Sequence, residues 1–496
     1  MPQPMMRRRE FLHRSAAAAA TLAIPVLGAA QRPGVSPGRA VGRRDGAPKQ
    51  VIVIGAGLAG LSAAYELVAA GHEVTILEAQ RRAGGRVLTL RDPFPEGLHV
   101  EAGASRIPAH HDLTLGYIAR FGLPLEPFQP AESSTVYVAN GRRMVVRPGD
   151  PVDWPFPLTP AERALGLAGI RQKYVGALLE SLGDVTDRSW PSPSLARYDG
   201  MNRSELWRER GASDGAVQLL AWGGFDDRID TVSALFTLRS AALARGAGAV
   251  QKIRGGNDLL PAAFASRLAG RIRYGSPVFR IEHDTRGATA FYRRIGGVEQ
   301  LRGDYLVCAV PFTVQRDIEV SPPFSVRKQE AIEQMPYKSV SKVFLQTRTR
   351  YWRDAGLDGF ATTDLPVREV WDSTAGQPGT RGIMQCFPTS VHSRRLTALS
   401  EADRLRFAVD QAELAYPGMR ANFEGGVSKC WDDDPWARGA SAYYKPGQMT
   451  ALLPHVATPE GRVHFAGEHT SVWMDGWMQG ALESGARVAR EVNAGL

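Results

Sequence analysis

The chain has 496 residues, of which 44% are hydrophobic and 22% charged, an ordinary globular composition long enough for two or three cores. Its net charge of +9 is scattered and forms no aromatic-interleaved basic patch, so nucleic acid is not an expected partner. Three widely spaced cysteines, Cys308, Cys386 and Cys430, make neither a disulfide framework nor the ligand spacing of a zinc site, and no metal is expected.

In chain order, RRREFL (Arg7 to Leu12) precedes an apolar run that ends in small residues. Arg8-Arg9-x-Phe-Leu resembles a twin-arginine export signal, with Gly28-Ala29-Ala30 as a cleavage site. The run is too short and too alanine-rich for a membrane span. Residues 1–30 are therefore expected to be removed on export by the twin-arginine pathway, leaving a periplasmic or secreted protein with no stable membrane span. Residues 31–49, rich in Pro, Gly and Arg, are expected to form a flexible linker.

QVIVIG then reads as a buried strand, LAGLSAAYELVAAG as a helix closed by Gly71, and HEVTILEA as a second strand. Residues 151–250 carry helix-like blocks such as PAERALGLAGIRQKYVGALLESLG and form a helical insertion. Mixed α/β patterning returns with RIRYGSPVFRIEH, ATAFYRR and DYLVCAV. A helix (RKQEAIEQM) and the strands SKVFLQTR and RGIMQCF follow, and GRVHFAGEHTS leads into a final helix. The expected fold is α/β: a Rossmann-type domain with a discontinuous mixed α+β second domain and a helical insertion. The first domain's segments are 50–150, 251–310 and 456–496, and those of the insertion and second domain are 151–250 and 311–455.

The strongest motif is Gly55-x-Gly57-x-x-Gly60 between strand and helix, with Glu78 and Ala79 ending the second strand. Gly55 permits the tight turn, Gly57 lets backbone approach a pyrophosphate, and Gly60 lets helix pack on strand. The helix start at Leu58 and Ala59 faces the phosphates, and Glu78 accepts from ribose hydroxyls. This is a dinucleotide site.

Gly84-Gly85-Arg86 directly after it resembles the loop of the flavin amine oxidase family, whose arginine lies near the pyrophosphate. FAGEHTS followed by GWMQGALESG resembles the family's C-terminal FAD motif. There Glu468 would bond the ribitol region, and Gly476, Trp477, Met478, Gln479, Gly480 and Ala481 would begin a helix pointing at the pyrimidine end. Val278 matches the position whose backbone contacts adenine.

Within the family, the chain from residue 51 onward resembles the L-amino-acid oxidases. GASRIPAHHDLTLGYIARFGLPLEPF resembles the stretch in which Gly103, Ala104 and Ser105 lie along the flavin and Arg106 holds the substrate α-carboxylate. A planar guanidinium suits that task because it meets a carboxylate with two parallel bonds. Lys342 falls on the family lysine that holds a water near the flavin, with Lys338 as a nearby decoy. Trp477 matches one wall of the amine cage of monoamine oxidases, whereas Ser441 replaces the other. Ala440 stands where animal monoamine oxidases attach flavin to cysteine, so FAD is expected to be non-covalent. The tyrosine that often assists the carboxylate falls at Cys386 or Phe387, neither of which offers its hydroxyl.

Trp222, Phe225 and Trp371 are candidates for an apolar side-chain pocket, and Asp226, Asp227 and Asp372 for a cationic one. The implied reaction is oxidative deamination of an L-amino acid with O2, giving a 2-oxo acid, ammonia and H2O2. Alternatives within the fold are a monoamine oxidase or an amino-acid 2-monooxygenase, and outside it a non-catalytic binding protein. A homo-oligomer is left open.

Overall fold

The computed structural model describes residues 42, 47–128, 133–187, 189–223 and 230–495. The expected export signal and most of the linker lie outside them.

The strand Gln50–Ile54 is buried at every position but its first, as a parallel strand covered on both faces must be. It forms the centre of a five-stranded parallel sheet, between Glu73–Leu77 and Tyr305–Cys308. Ile272–Arg273 and Val463–Phe465 form the edges. Three stretches far apart in sequence thus meet in one sheet. The helix Leu58–Ala69 follows the first strand, and the chain turns back at Gly71, whose φ of 94° suits glycine. This helix packs on the last one, Met478–Ala494. The contact requires Gly485, where a Cβ would stand 2.0 Å from Ser62 Oγ and 2.3 Å from the Ala59 carbonyl oxygen.

A second sheet has seven strands, in the order Phe423–Cys430, Ser341–Thr347, Gly382–Cys386, Glu369–Asp372, Leu357–Thr363, Ser134–Ala139 and Arg142–Val146. All neighbours are antiparallel except Leu357–Thr363 with Ser134–Ala139. Residues 134–146, which the sequence grouped with the first FAD-binding segment, therefore pair into this sheet instead. The alternation of strands sorts its side chains. Val343, Met384, Cys386 and Val370 join the core under the helix Glu401–Ala415. Lys342, Phe344, Gln385, Phe387, Glu369 and Trp371 take the opposite face, as the pairings Phe344 with Gln385 and Trp371 with Gln385 require.

The insertion contains the helices Pro160–Tyr174, Arg203–Glu209, Asp214–Trp222 and Ala234–Leu243. The first begins with a capping box between Thr159 and Glu162. The block expected to run on as one helix is interrupted at Gly166 (φ 61°, ψ −179°) and continues as a 3-10 helix over Gly176–Leu182. Among the described residues no helix is long and apolar enough to cross a membrane.

Candidate active site

The glycine motif has the geometry its spacing implies. Gly55 has φ 97°, and a Cβ on Gly60 would lie 2.0 Å from the Gly55 carbonyl oxygen, so helix and strand could not meet. A Cβ on Gly57 would touch nothing within 4 Å, which leaves an open approach to its backbone. Gly85 stands beside it, its own added Cβ reaching 3.4 Å from the Gly57 Cα. Neither the helix starting at Leu58 nor the one starting at Met478 has a side-chain cap or an acid in its first turn, which leaves their N–H groups for an anion.

Glu78 is buried and accepts from the N–H groups of Ala56 (2.6 Å) and Gln80 (2.8 Å). Burial raises its pKa, and these two donors partly offset the rise. The Ser276 N–H donates to the Glu78 carbonyl (2.8 Å), which sets the strand beginning at Val278 beside the ribose acid. Ala79 continues that turn. An open glycine face, two uncapped helix starts and a buried acid fit a bound dinucleotide.

Arg86 donates to Glu468 Oε1 (2.7 Å) and to the Ala440 carbonyl (2.8 Å). Glu468 also accepts from the N–H groups of Gly476 (2.7 Å) and Ala442 (3.3 Å), so it ties three segments together besides facing the cofactor motif. Gly476 has φ 80° and faces Ser441, and Trp477 beside it is 37% exposed. Met478, Gln479, Gly480 and Ala481 form the first turn of the last helix. Gly480 is required by the Met474 carbonyl, which would lie 2.0 Å from a Cβ.

On the substrate side, Arg106 Nη2 pairs with Glu369 Oε2 at 2.9 Å. Its guanidinium carbon lies 4.8 Å from the centre of the Trp371 ring and 5.3 Å from that of Phe128, in the corner formed by two rings that meet edge to face at 6.2 Å. Lys342 is buried and donates to the carbonyls of Glu101 and Gly103, both at 2.7 Å. Its nitrogen is 5.9 Å from the Trp371 ring centre and 5.8 Å from that of Phe387. Trp371 is thus a wall shared by Arg106 and Lys342. Desolvation lowers the Lys342 pKa to about 7 and raises that of the buried Glu101 carboxyl to about 7. Lys338 instead stands over Phe236.

Several expectations change. The smallness of Gly103 serves the neighbouring chain: a Cβ there would lie 2.1 Å from the Arg86 carbonyl oxygen, and Gly103 and Ala104 donate to Leu88 and Arg86. Ala104 and Ser105 carry that packed segment on to Arg106. Trp222 is a core residue, its indole N–H bonded to the Val138 carbonyl at 2.8 Å. Asp372 is held by Arg353, Trp352 and Thr374 and lines a cavity with Ser105, Phe128 and Trp371. Phe225, Asp226 and Asp227 lie outside the described residues. The ambiguity between Cys386 and Phe387 is resolved. Cys386 faces the core, and Phe387 packs on Trp371 with ring centres 5.5 Å apart.

Three residues at the site were not singled out from the sequence: Glu101, Phe128 and Glu369. Glu369 did carry a signal, a carboxylate two positions before Trp371 in a strand whose four residues are all buried.

A family model described as flavin containing amine oxidoreductase matches residues 58–493. YobN of Bacillus subtilis (strain 168) is 33% identical over 90% of this chain and 95% of its own length. The L-amino-acid oxidase of Bungarus fasciatus is 31% identical over 90% of this chain and 87% of its own length. Cyclohexylamine oxidase from Brevibacterium oxydans IH-35A superposes with a TM-score of 0.78 at 23% identity, over 90% of this chain and 99% of its own. The matches span the cradle and the substrate face alike, and the chain belongs to the flavin-containing amine oxidoreductases, FAD-dependent enzymes that act on a small-molecule substrate.

Proposed function

We propose that this enzyme oxidatively deaminates an L-amino acid, yielding 2-oxo acid, ammonia and H2O2, after export by the twin-arginine pathway. The observation that carries the reading is Arg106 and Lys342 meeting across the single ring of Trp371. Gly57, Glu78, Arg86, Glu468 and the first turn at Met478 would hold FAD, and Ala440 in place of a cysteine keeps it non-covalent. Bound FAD supplies the acceptor for a hydride taken from the carbon beside nitrogen.

The protein's own work is orientation and proton handling. Arg106, lodged in the corner between Trp371 and Phe128, takes the carboxylate end of the substrate. Lys342, fixed on the Glu101 and Gly103 carbonyls, holds a water for hydrolysis of the imine. Burial lowers its pKa, which eases release of a proton from this lysine.

The test is a peroxide assay of the purified yellow protein against the twenty L-amino acids, a D-amino-acid set and common amines. Arg106→Ala should raise KM for amino acids by about 30-fold or more, because the carboxylate loses its charged partner. The flavin absorbance spectrum should be unchanged. Unaltered kinetics in this variant would overturn the reading.

A second reading, oxidation of an amine without a carboxylate, is favoured by the ion pair that already engages Arg106 with Glu369. Faster turnover of decarboxylated analogues than of the amino acids would establish it.

A further inference from the structure

Glu369 is a charge in a place that burial makes expensive. Its strand, Glu369–Asp372, is buried throughout, and a carboxylate withdrawn from water needs a partner. That partner is Arg106, the residue assigned to the substrate carboxylate, with Nη2 and Oε2 2.9 Å apart. Glu369 and Trp371 are two positions apart on one face of the strand. Arg106 lies over that same tryptophan at 4.8 Å and Lys342 is 5.9 Å from it. Phe387, whose N–H donates to the Glu369 carbonyl at 3.0 Å, lines this face without a hydroxyl. The face of the sheet around Trp371 thus presents one fixed cation and one fixed anion side by side.

Three kinds of head group fare differently against such a face. A plain carboxylate that reaches Arg106 is brought against Glu369, a like charge. A plain amine that reaches Glu369 is brought against Arg106. A head group carrying both charges opposes each to its complement.

We propose that Glu369 is a specificity-determining residue that receives the substrate's α-ammonium while Arg106 receives its α-carboxylate, so that the site selects the zwitterionic head group of an α-amino acid. The proposal rests on the amino-acid reading above and adds to it the acid that excludes simpler ligands.

The experiment compares wild-type holoenzyme with Glu369→Gln, which keeps the size of the side chain and removes its charge. The ligands are L-phenylalanine, its deaminated analogue 3-phenylpropanoate and its decarboxylated analogue 2-phenylethylamine. Binding of the two analogues is followed by perturbation of the flavin spectrum. In E369Q, KM for L-phenylalanine should rise about ten-fold or more, and 3-phenylpropanoate should bind about ten-fold more tightly once the like charge is gone.

Glu369→Asp, which keeps the charge, should still favour L-phenylalanine over 3-phenylpropanoate, and it serves if E369Q does not fold. A Glu369 that merely props Arg106 would weaken both carboxylate ligands in E369Q, and that result overturns the proposal. So does an unchanged preference, or a loss confined to L-lysine and L-arginine. If wild-type enzyme oxidises no amino acid, the proposed function fails. The Glu369 inference is then judged separately, by whether E369Q still tightens 3-phenylpropanoate.

Discussion

The imidazole of His111 packs edge-on against Trp477, with ring centres 5.1 Å apart, and against His110 at 4.7 Å. Neither of its nitrogens finds a hydrogen-bond partner among the described residues. Burial, with a smaller contribution from His110, lowers its pKa from 6.5 to about 3, so the folded chain keeps this ring neutral. The unfolded chain binds a proton there once pH drops below 6.5, and the folded chain does not until about 3. Stability contributed at this position is therefore lost as pH falls through that window. His111→Phe keeps the ring and removes the titration. Relative to wild type it should gain up to about 1.4 kcal/mol for each pH unit below 6.5, read from denaturant unfolding at pH 7, 6 and 5. Parallel stability curves would refute the assignment. Residues of this kind are hard to see in a sequence. Gly55 and Gly60 were legible because each answers to its own backbone or to a residue a few positions away. The isolation of His111 and the charge pair at Glu369 arise only when distant segments close over them.

At the scale of elements, Arg239 on the helix Ala234–Leu243 is fully buried and binds both the Asp475 carboxylate and the Val472 carbonyl. It joins the helical insertion to the loop that sets Gly476 and Trp477. Removing the cation leaves Asp475 buried without its charge partner, which costs about 3–5 kcal/mol. Arg239→Met should lower the unfolding midpoint accordingly and speed release of flavin. Arg239→Lys, which keeps the charge, should recover part of the loss. Of the elements, the strands and the first and last helices were legible because their apolar periods are strong. The register of the seven-stranded sheet was not. That register decides that Phe387, and not Cys386, lies beside Trp371, and it carries residues 134–146 away from the segment they follow. Strand partners are chosen by packing across the sheet, which no local pattern encodes.

For the molecule as a whole, the residues that would hold the cofactor, Gly57, Glu78, Val278 and Met478, stand on parts of the chain far apart in sequence, whose neighbouring strands the parallel sheet gathers. The sequence revealed these parts because a dinucleotide imposes the same glycines and acid wherever it binds. The substrate face, free of so fixed a partner, left its specificity to tertiary contacts. A chain ending at residue 455 lacks the edge strand Val463–Phe465 and the whole helix Met478–Ala494. Such a truncation should purify without yellow colour and show no rise in Tm on adding FAD. The full chain should melt higher as FAD is raised, by the ordinary linkage of ligand to fold.

The seam formed by Gly485 against Ser62 and the Ala59 carbonyl has a consequence in time. The helix Leu58–Ala69 leaves the ribosome long before the surface it packs on, Met478–Ala494, has been made. At about 5–20 residues per second, that helix waits tens of seconds with its apolar side uncovered. A chaperone that shields the helix over that interval should therefore raise the yield of folded chain.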